Sequence, residues 1–235
     1  MSPDRLLRDI IAGLAPGRDA VQLVASGEVL VDGLPATSPL SRVRAASSVT
    51  LRADRALRGA AKLRAAFEAF GVEAQDRVAL DVGAAAGGFT TVLLEAGARR
   101  VYAVDVGHGQ LLGSLRQDSR VVDLEATNVA ALDTSLVPEP VELIVVDVSY
   151  LSLGAAVAQL VNIELAGTAV LVGLVKPMFE LRAATAPSDD ASLSQALAAA
   201  SAAVGIAGWR VLDSIHSPVT GSRGSREMLL HAVHA

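Results

Sequence analysis

The spacing of hydrophobic and polar positions changes at about residue 53. Before that point, apolar residues recur at helical spacing from Leu6 to Leu14 and from Arg18 to Ser26, and a short strand pattern occupies residues 28–33. Residues 48–51 have the pattern of a closing strand. Two short helices and a β-ribbon predict a small α+β domain at residues 1–53 with little core of its own.

Patterns typical of strands alternate with patterns typical of helices over residues 62–235. The predicted strands are Val78–Val82, Arg100–Val104, Arg120–Leu124, Leu143–Val146, Ala169–Val175, Arg210–Ile215 and Glu227–Val233. This alternation predicts an α/β domain with a parallel, doubly wound sheet. The last two strands are joined by residues 218–226, too few for a crossover helix, so we expect an antiparallel hairpin at the sheet edge. Residues 54–61 are predicted as a basic linker, and a helix pattern runs from Ala60 to Phe70.

Composition excludes several classes of site. The chain has 235 residues, 51% of them hydrophobic, and no cysteine, which excludes disulfide scaffolds and thiolate zinc sites. Two of the four histidines lie in the last five residues, so we expect no metal. Charges interrupt the apolar N-terminus, which is unlike a secretory signal. The uncharged stretch Ala191–Trp209 is alanine-rich and predicts a buried helix, not a membrane span. We expect a cytoplasmic protein without a membrane segment.

Charge is distributed unevenly along the chain. The formal net charge is −5, but residues 1–64 carry ten basic against six acidic residues, and the remainder carries ten against nineteen. A local basic field favours phosphate binding, although an ordinary solvated surface gives the same pattern.

Lysine occurs at only two of the 20 basic positions, Lys62 and Lys176. A lysine can lose its proton when it is buried near another cation, whereas arginine stays charged. The two lysines are therefore candidates for chemistry, although two of twenty can also be chance.

A glycine-rich segment, DVGAAAGGFT at residues 81–90, follows a predicted strand and opens a helix. Glycines at such a turn let the backbone approach a ligand closely. Asp105 lies 22 residues beyond Gly83, at the end of the next strand, where an acid binds ribose hydroxyls. The spacing D-x-G-x-x-x-G-G suits an amino-acid group and a nucleoside better than a pyrophosphate.

Further polar residues stand at the ends of the other predicted strands. Asp147 and Lys176 follow two of them, and Glu227 enters the last one. Ligands of open α/β sheets bind outside the carboxyl ends of the strands. With Lys62 ahead of the sheet, we expect two lysines and two carboxylates near one crevice.

These motifs, taken together, resemble the TlyA family, whose members join an S4-type RNA-binding domain to an FtsJ/RrmJ-like ribose 2'-O-methyltransferase domain. The matching segments are SGEVLVDG at 26–33, RGAAKL at 58–63, DVGAAAGGFT at 81–90, VYAVDVGHGQL at 101–111, LIVVDVSYLSL at 143–153, VKPMFE at 175–180 and the pattern SPVTG…SRE-LL at 217–230. The resemblance implies a Rossmann-like methyltransferase sheet, mostly parallel with one antiparallel edge strand, behind a small S4-like domain.

The resemblance also implies a site and a mechanism. The catalytic tetrad falls on Lys62, Asp147, Lys176 and Glu227. S-Adenosylmethionine is the implied cofactor, and its expected contacts are Asp81, Gly83, Gly87, Gly88, Phe89, Asp105, Glu125 and Asn128. Lys176 is expected to take the proton from a ribose hydroxyl, helped by like-charge repulsion from Lys62 and oriented by Asp147, although the two lysines can exchange roles. Glu227 would position Lys62 or the ribose.

The implied partner is ribosomal RNA or a ribosomal subunit, with a cytidine of 16S or 23S rRNA as the target. Phosphate contacts are expected from Arg5, Arg8, Arg18, Arg55 and Arg58. Two alternatives stay open: a methyltransferase of the same tetrad with another hydroxyl substrate, and a cytolysin, since some family members carry a haemolysin name.

Overall fold

Two compact units, Met1–Leu57 and Arg58–Ala235, make up the chain in the computed structural model. The structure describes residues 4–25, 27–185, 187, 189–221 and 224–235, and for residues 52–55 it describes the backbone alone. The division between the units lies between the predicted domain boundaries at residues 53 and 62.

The N-terminal unit consists of two helices and short antiparallel strands. In chain order these elements are β1 (Arg5–Leu6), α1 (Leu7–Leu14), α2 (Ala20–Ala25), β2 (Val29–Val31), β3 (Leu34–Pro35), β4 (Arg42–Val43) and β5 (Val49–Leu51). Strand β2 lies between β3 and β5, and β1 pairs with β4. The two-residue strands β1, β3 and β4 were not predicted, because so short a segment shows no alternation of apolar and polar positions.

This unit has a small core of its own. The helices contribute buried Leu7, Ile11 and Leu23, which pack with Val29 and Leu51 of the sheet. Leu7 and Ile11 lie four positions apart on one face of α1, as expected for an amphipathic helix.

Helix α3 (Arg52–Phe70) begins eight residues before the predicted start at Ala60. The predicted linker, residues 54–61, is therefore helical. Alanine, leucine and arginine dominate this segment and all favour helix, and no proline interrupts it, so the helix continues back to the end of β5.

The larger unit alternates strands and helices after α3. Its further elements are β6 (Val78–Val82), α4 (Gly88–Glu95), β7 (Arg100–Val104), α5 (Gly113–Arg116), β8 (Val121–Leu124), β9 (Val141–Val146), α6 (Leu153–Val157), β10 (Leu165–Val175), α7 (Pro177–Glu180), α8 (Asp190–Ile206), β11 (Trp209–His216) and β12 (Met228–His234). The bounds of β6 and β7 coincide with the predicted ones.

Seven of the described strands form one sheet in the order β11-β12-β10-β9-β6-β7-β8. The central strands are parallel, and β12 runs antiparallel to both β10 and β11. The predicted hairpin is present, with one correction: the antiparallel strand is second from the edge, and β11 is the edge strand. The apolar start of β12, Met228–Leu230, is buried, whereas β11 carries exposed Asp213, which explains why β12 takes the inner position.

Both faces of the sheet are covered. Side chains alternate along β6, so that Val78, Leu80 and Val82 face one layer while Ala79 faces the other. Helices α6 and α8 cover the first face, and α4 with the later part of α3 covers the second. Continuous apolar strands are typical of a parallel sheet buried on both sides.

Candidate active site

Polar residues stand at one edge of the large sheet. Asp105 follows β7, Asp147 follows β9 and Lys176 follows β10, so all three leave the sheet at its carboxyl edge. Glu227 directly precedes β12, which is antiparallel to β10 and therefore begins at the same edge. Because ligands of open α/β sheets bind outside these strand ends, this edge is the candidate active site.

The strand register brings Lys176 and Glu227 to neighbouring positions. Val175 and Met228 are the last paired residues of β10 and β12, and Lys176 and Glu227 are the next residue on each strand. On the other side of β10, Nζ of Lys176 lies 2.5 Å from Oδ1 of Asp147. Three of the four predicted tetrad residues thus adjoin one another.

Lys62 completes the group from helix α3. Its Nζ donates to Oε2 of Glu227 at 2.6 Å, and the two side chains are only 9% and 5% exposed. Removing one partner of a buried ion pair leaves an uncompensated charge in the interior, which is costly. The pair therefore holds α3 and the start of β12 in a defined relation.

Lys176 is surrounded by acceptors. Besides Asp147, its Nζ donates to the carbonyl oxygen of Val148 at 2.8 Å and to the hydroxyl of Ser149 at 3.0 Å. The side chain is 11% exposed, so it is largely buried. A charged lysine has three N–H groups, and each of them has an acceptor here.

The position of Glu227 depends on Gly221. A Cβ atom at Gly221 would overlap Oε1 of Glu227 and would lie 2.5 Å from the hydroxyl of Ser225. Because Lys62 holds the Glu227 carboxylate in a buried position, that carboxylate has little room to move aside. A residue without a side chain is required at position 221.

Two glycines shape the turn between β6 and α4. Gly83 has φ of +91°, and a Cβ atom there would lie 2.5 Å from the carbonyl oxygen of Asp147. Gly87 has φ of +90° at the N-cap of α4, which begins at Gly88. Glycine is favoured at positive φ and at so close an approach of two backbones. The turn therefore lies directly against the strand end that carries Asp147.

Asp81 is fully buried beneath this turn. Its Oδ2 accepts from the hydroxyl of Thr90 at 2.6 Å, whereas its Oδ1 has no hydrogen-bond partner among the described residues. Burial raises the pKa of Asp81 to about 7, with a further contribution from the charges of Asp147 and Asp105. A buried acceptor without a partner, close to strand ends that bind ligands, fits a donor group of a ligand.

Two acids organise the loop after β7. Asp105 accepts from the backbone N–H groups of Ala85 and Gly107, at 2.9 and 2.7 Å. Glu125 accepts from the N–H groups of residues 109–111 and from Arg116. Burial would raise the pKa of Glu125, but these donors hold it below its usual value. Glu125 therefore holds the loop, and its contact with adenine stays a prediction.

Two further predicted cofactor contacts, Asn128 and Phe89, and the additional residue Asp123 have partners within the fold. Asn128 is exposed and accepts from the N–H of Ala130 as the cap of a short 3-10 helix, Val129–Ala131. The ring of Phe89 is buried in the core beside Gly59, and its contact with the cofactor stays a prediction. Asp123 pairs through Oδ2 with Arg116, while its buried Oδ1 has no partner among the described residues. Asp123 therefore has more free acceptor capacity than the predicted Glu125.

The arginines predicted to contact phosphate belong to different environments. Arg5 and Arg58 are exposed. Arg8 lies 3.5 Å from Asp9, and Arg18 lies 3.0 Å from Glu28, so acidic neighbours partly neutralise both. The side chain of Arg55 lies outside the described residues.

Sequence reasoning missed Ser149 and Gly221. Ser149 lies two positions after Asp147 in the segment VVDVSY, and Gly221 lies six positions before Glu227. Proximity in sequence to a predicted site residue was the available signal. Closeness in sequence does not show that the Ser149 hydroxyl contacts Lys176 or that Gly221 contacts Glu227, because both contacts form only in the folded loops.

The described residues contain neither a cluster that could hold a metal ion nor a helix that could span a membrane. Across these ranges, the histidines, aspartates and glutamates form no group of three or more that could hold a metal ion. Among the same residues, every helix is too short or too polar to cross a lipid bilayer.

Comparison with known proteins identifies relatives over nearly the whole chain. Residues 56–233 match the model of the FtsJ-like methyltransferase family. The 16S/23S rRNA (cytidine-2'-O)-methyltransferase TlyA of Mycobacterium tuberculosis is 39% identical over 228 residues, which cover 93% of this chain and 85% of that protein. Hemolysin A of Brachyspira hyodysenteriae is 31% identical, with 91% of this chain and 92% of that protein covered.

A solved structure shows that the similarity to known proteins extends to the fold of the whole chain. A protein described as a hemolysin from Streptococcus thermophilus superposes with a TM-score of 0.73 at 27% identity, over 100% of this chain and 90% of that one. The family match covers the whole large sheet with the two lysines and two carboxylates at its edge. The chain belongs to the FtsJ-like methyltransferase family.

Proposed function

We propose that this protein transfers a methyl group from S-adenosylmethionine to the 2'-hydroxyl of a cytidine in ribosomal RNA. The observation that carries the proposal is the convergence of Lys62, Glu227, Lys176 and Asp147, as two ion pairs, at the carboxyl edge of the sheet. The relative TlyA of Mycobacterium tuberculosis, which is named for this reaction, supports the choice of substrate.

The residues at the glycine-rich turn fit the cofactor. Gly83, Gly87 and Gly88 would lie along its methionine part, and Asp81 offers to an ammonium group a buried oxygen that has no partner among the described residues. Asp105 would bind the ribose hydroxyls, and the free oxygen of Asp123 suits the amino group of adenine. When bound, S-adenosylmethionine supplies a methyl group that its sulfonium already activates.

The protein's part in the reaction is to orient the ribose hydroxyl and accept its proton. Lys176 is the group we assign as acceptor, because its partners Asp147 and Ser149 are partly or fully exposed, whereas Lys62 pairs with Glu227, which is only 5% exposed. Asp147 orients Lys176 through the 2.5 Å contact. Glu227 anchors Lys62 at the strand end that adjoins Lys176.

RNA recognition is assigned to the N-terminal unit, as an S4-like domain. Exposed Arg5, together with Arg8 and Arg18, would contact phosphates there, and exposed Arg58 would contact them from α3. The natural substrate would be a ribosomal subunit or its RNA, which places the activity in the cytoplasm.

The test is methyl transfer from tritiated S-adenosylmethionine to ribosomal subunits that lack the modification. We expect label in rRNA with the parent protein and loss of transfer with Lys176→Arg, which keeps the charge but cannot accept a proton. Calorimetry should show that this variant still binds S-adenosylmethionine. Undiminished transfer by Lys176→Arg would contradict the role of Lys176, and absence of label with the parent would contradict the rRNA substrate.

One observation favours a different hydroxyl substrate. Residues 181–192, which follow α7 near the site, include Asp189 and Asp190, and Asp190 pairs with Arg226 at 2.6 Å. Acidic groups beside a nucleic-acid site repel phosphates. Binding of S-adenosylmethionine without transfer to any rRNA would support this second candidate. Failure to bind the cofactor would exclude both candidates and leave the haemolysin name of some relatives to be tested.

A further inference from the structure

The three acceptors around Lys176 differ in what they can do. The carboxylate of Asp147 and the carbonyl of Val148 only accept hydrogen bonds, whereas the hydroxyl of Ser149 can accept or donate. A neutral lysine keeps two N–H groups and a lone pair. The two N–H groups of a neutral Lys176 therefore donate to Asp147 and to the carbonyl of Val148. The lone pair then points to the side of Ser149.

The side of Lys176 that faces Ser149 is also the side nearest to solvent. Val148 is buried and Asp147 is partly buried, but Ser149 and its neighbour Tyr150 are exposed. A substrate hydroxyl that approaches Lys176 from solvent therefore arrives on the side of Ser149. The proton that it gives to Nζ becomes the third N–H group, the one for which Ser149 Oγ is the acceptor at 3.0 Å.

We propose that Ser149 is a positioning residue for the methyl transfer: its hydroxyl lies beside the lone pair of Lys176, on the side from which the substrate arrives, and accepts a hydrogen bond from the ammonium that forms. The inference rests on the proposed function. In the step, the bond between sulfur and methyl breaks, the bond between ribose oxygen and methyl forms, and the ribose proton moves to Nζ. Hydrogen bonds to a charged group are about twice as strong as neutral ones, so the hydroxyl stabilises the charged product side of this step.

Three variants separate this role from a structural one. Ser149→Ala removes the hydroxyl, and Ser149→Thr keeps it. Ser152→Ala is the matched control, because the Ser152 hydroxyl lies three residues away and accepts from the N–H of Ala155 at the start of α6. Since Ser149 is exposed, we expect its variants to fold like the parent, whereas loss of the cap in Ser152→Ala should lower the melting temperature without changing the chemistry.

The first measurement does not require activity. The chain has only two lysines, so protein labelled with ¹⁵N-lysine gives just two side-chain ammonium signals, which Lys62→Arg assigns. Loss of the Ser149 acceptor should speed the exchange of the Lys176 ammonium hydrogens with water several-fold, while the Lys62 signal stays unchanged as the internal reference. Ser149→Thr should restore the slow exchange.

The second measurement is steady-state methyl transfer to rRNA. We expect Ser149→Ala to lower kcat about tenfold to a hundredfold, with the KM for both substrates within about twofold of the parent. Ser149→Thr should recover most of kcat, and Ser152→Ala should keep it.

The outcomes distinguish the two proposals. A Lys176 signal that is the same in Ser149→Ala and the parent overturns the role of Ser149, and so does an unchanged kcat. A parent protein that methylates no rRNA contradicts the proposed function instead, and it also removes the reaction in which Ser149 would act.

Discussion

Lys62 and Glu227, which lie 165 positions apart in the sequence, form a buried ion pair with an N–O distance of 2.6 Å. The pair joins helix α3, which precedes the sheet, to the first residue before β12, the last strand. Because Glu227 is also the register neighbour of Lys176, the pair brings Lys62 to the strand end that carries Lys176.

Loss of charge at Glu227 should destabilise the fold. Glu227→Gln leaves the Lys62 ammonium buried without a countercharge, and we expect a loss of about 3–5 kcal/mol in the free energy of unfolding, measured by urea denaturation. The matched control is Glu95→Gln, since Arg64 and Glu95 have the same N–O distance of 2.6 Å but are about half exposed. That change should cost under about 1 kcal/mol. Equal costs for the two variants would contradict the burial of the Lys62–Glu227 pair.

A methyl group at position 221 should disturb the site. In Gly221→Ala the new Cβ overlaps Oε1 of Glu227, so the carboxylate must leave Lys62 or the loop must shift. We expect a loss of about 1–3 kcal/mol in stability, measured by thermal unfolding, together with reduced methyl transfer. Gly205→Ala in α8 is the control, because a Cβ atom there has no neighbour within 4 Å and alanine favours helix. A stable and fully active Gly221→Ala would show that Glu227 moves freely.

The buried carboxyl of Asp81 should make stability depend on pH. Its pKa of about 7 in the folded chain lies above 3.8, so the folded state binds the proton more tightly and stability falls as the pH rises from about 4 to about 7. The difference between the two values corresponds to about 4 kcal/mol. In Asp81→Asn this contribution is absent. Urea unfolding at several pH values should therefore show that the free energy of unfolding of the variant rises relative to that of the parent over that range. A difference that is constant with pH would exclude a protonated Asp81.

Phosphate contacts should be visible in the salt dependence of RNA binding. Arg5→Gln removes one exposed cation, and we expect weaker binding and a slope of log K against log salt that is smaller by about one. Arg120→Gln is the control, since the guanidinium of Arg120 is already bound to Asp118 at 2.8 Å. Affinity that hardly responds to salt, or equal effects of the two variants, would contradict the role of Arg5.

The central strands could be predicted from the sequence because their signal is local. Val78–Val82 and Arg100–Val104 are short apolar runs, and the chain turns at glycines next to them, so their bounds agree with the structure. The start of α3 was missed because the basic residues after Arg52 were interpreted as a linker. The inner position of β12 was missed because strand order depends on which partner buries Met228 and Leu229, and that is not a local property.

The candidate site was predicted in part. The residue types and their places at strand ends followed from spacing, but the contacts of Glu125 and Asn128 did not. Their side chains are occupied by neighbouring backbone N–H groups, and such donors are positioned only when the loops at residues 107–111 and 128–131 have folded. The contacts of Ser149 with Lys176 and of Gly221 with Glu227 could not be predicted either, because they also form only when the loops have folded.

The alternation of strands and helices, the glycine-rich turn and the restriction of lysine to two positions can all be recognised from neighbouring residues alone. Folding of the whole sheet sets which carboxylate each lysine meets: Glu227 for Lys62 and Asp147 for Lys176. Pairing of charges across such distances along the chain depends on sheet order, strand register and burial, and these come into being only when the whole sheet packs.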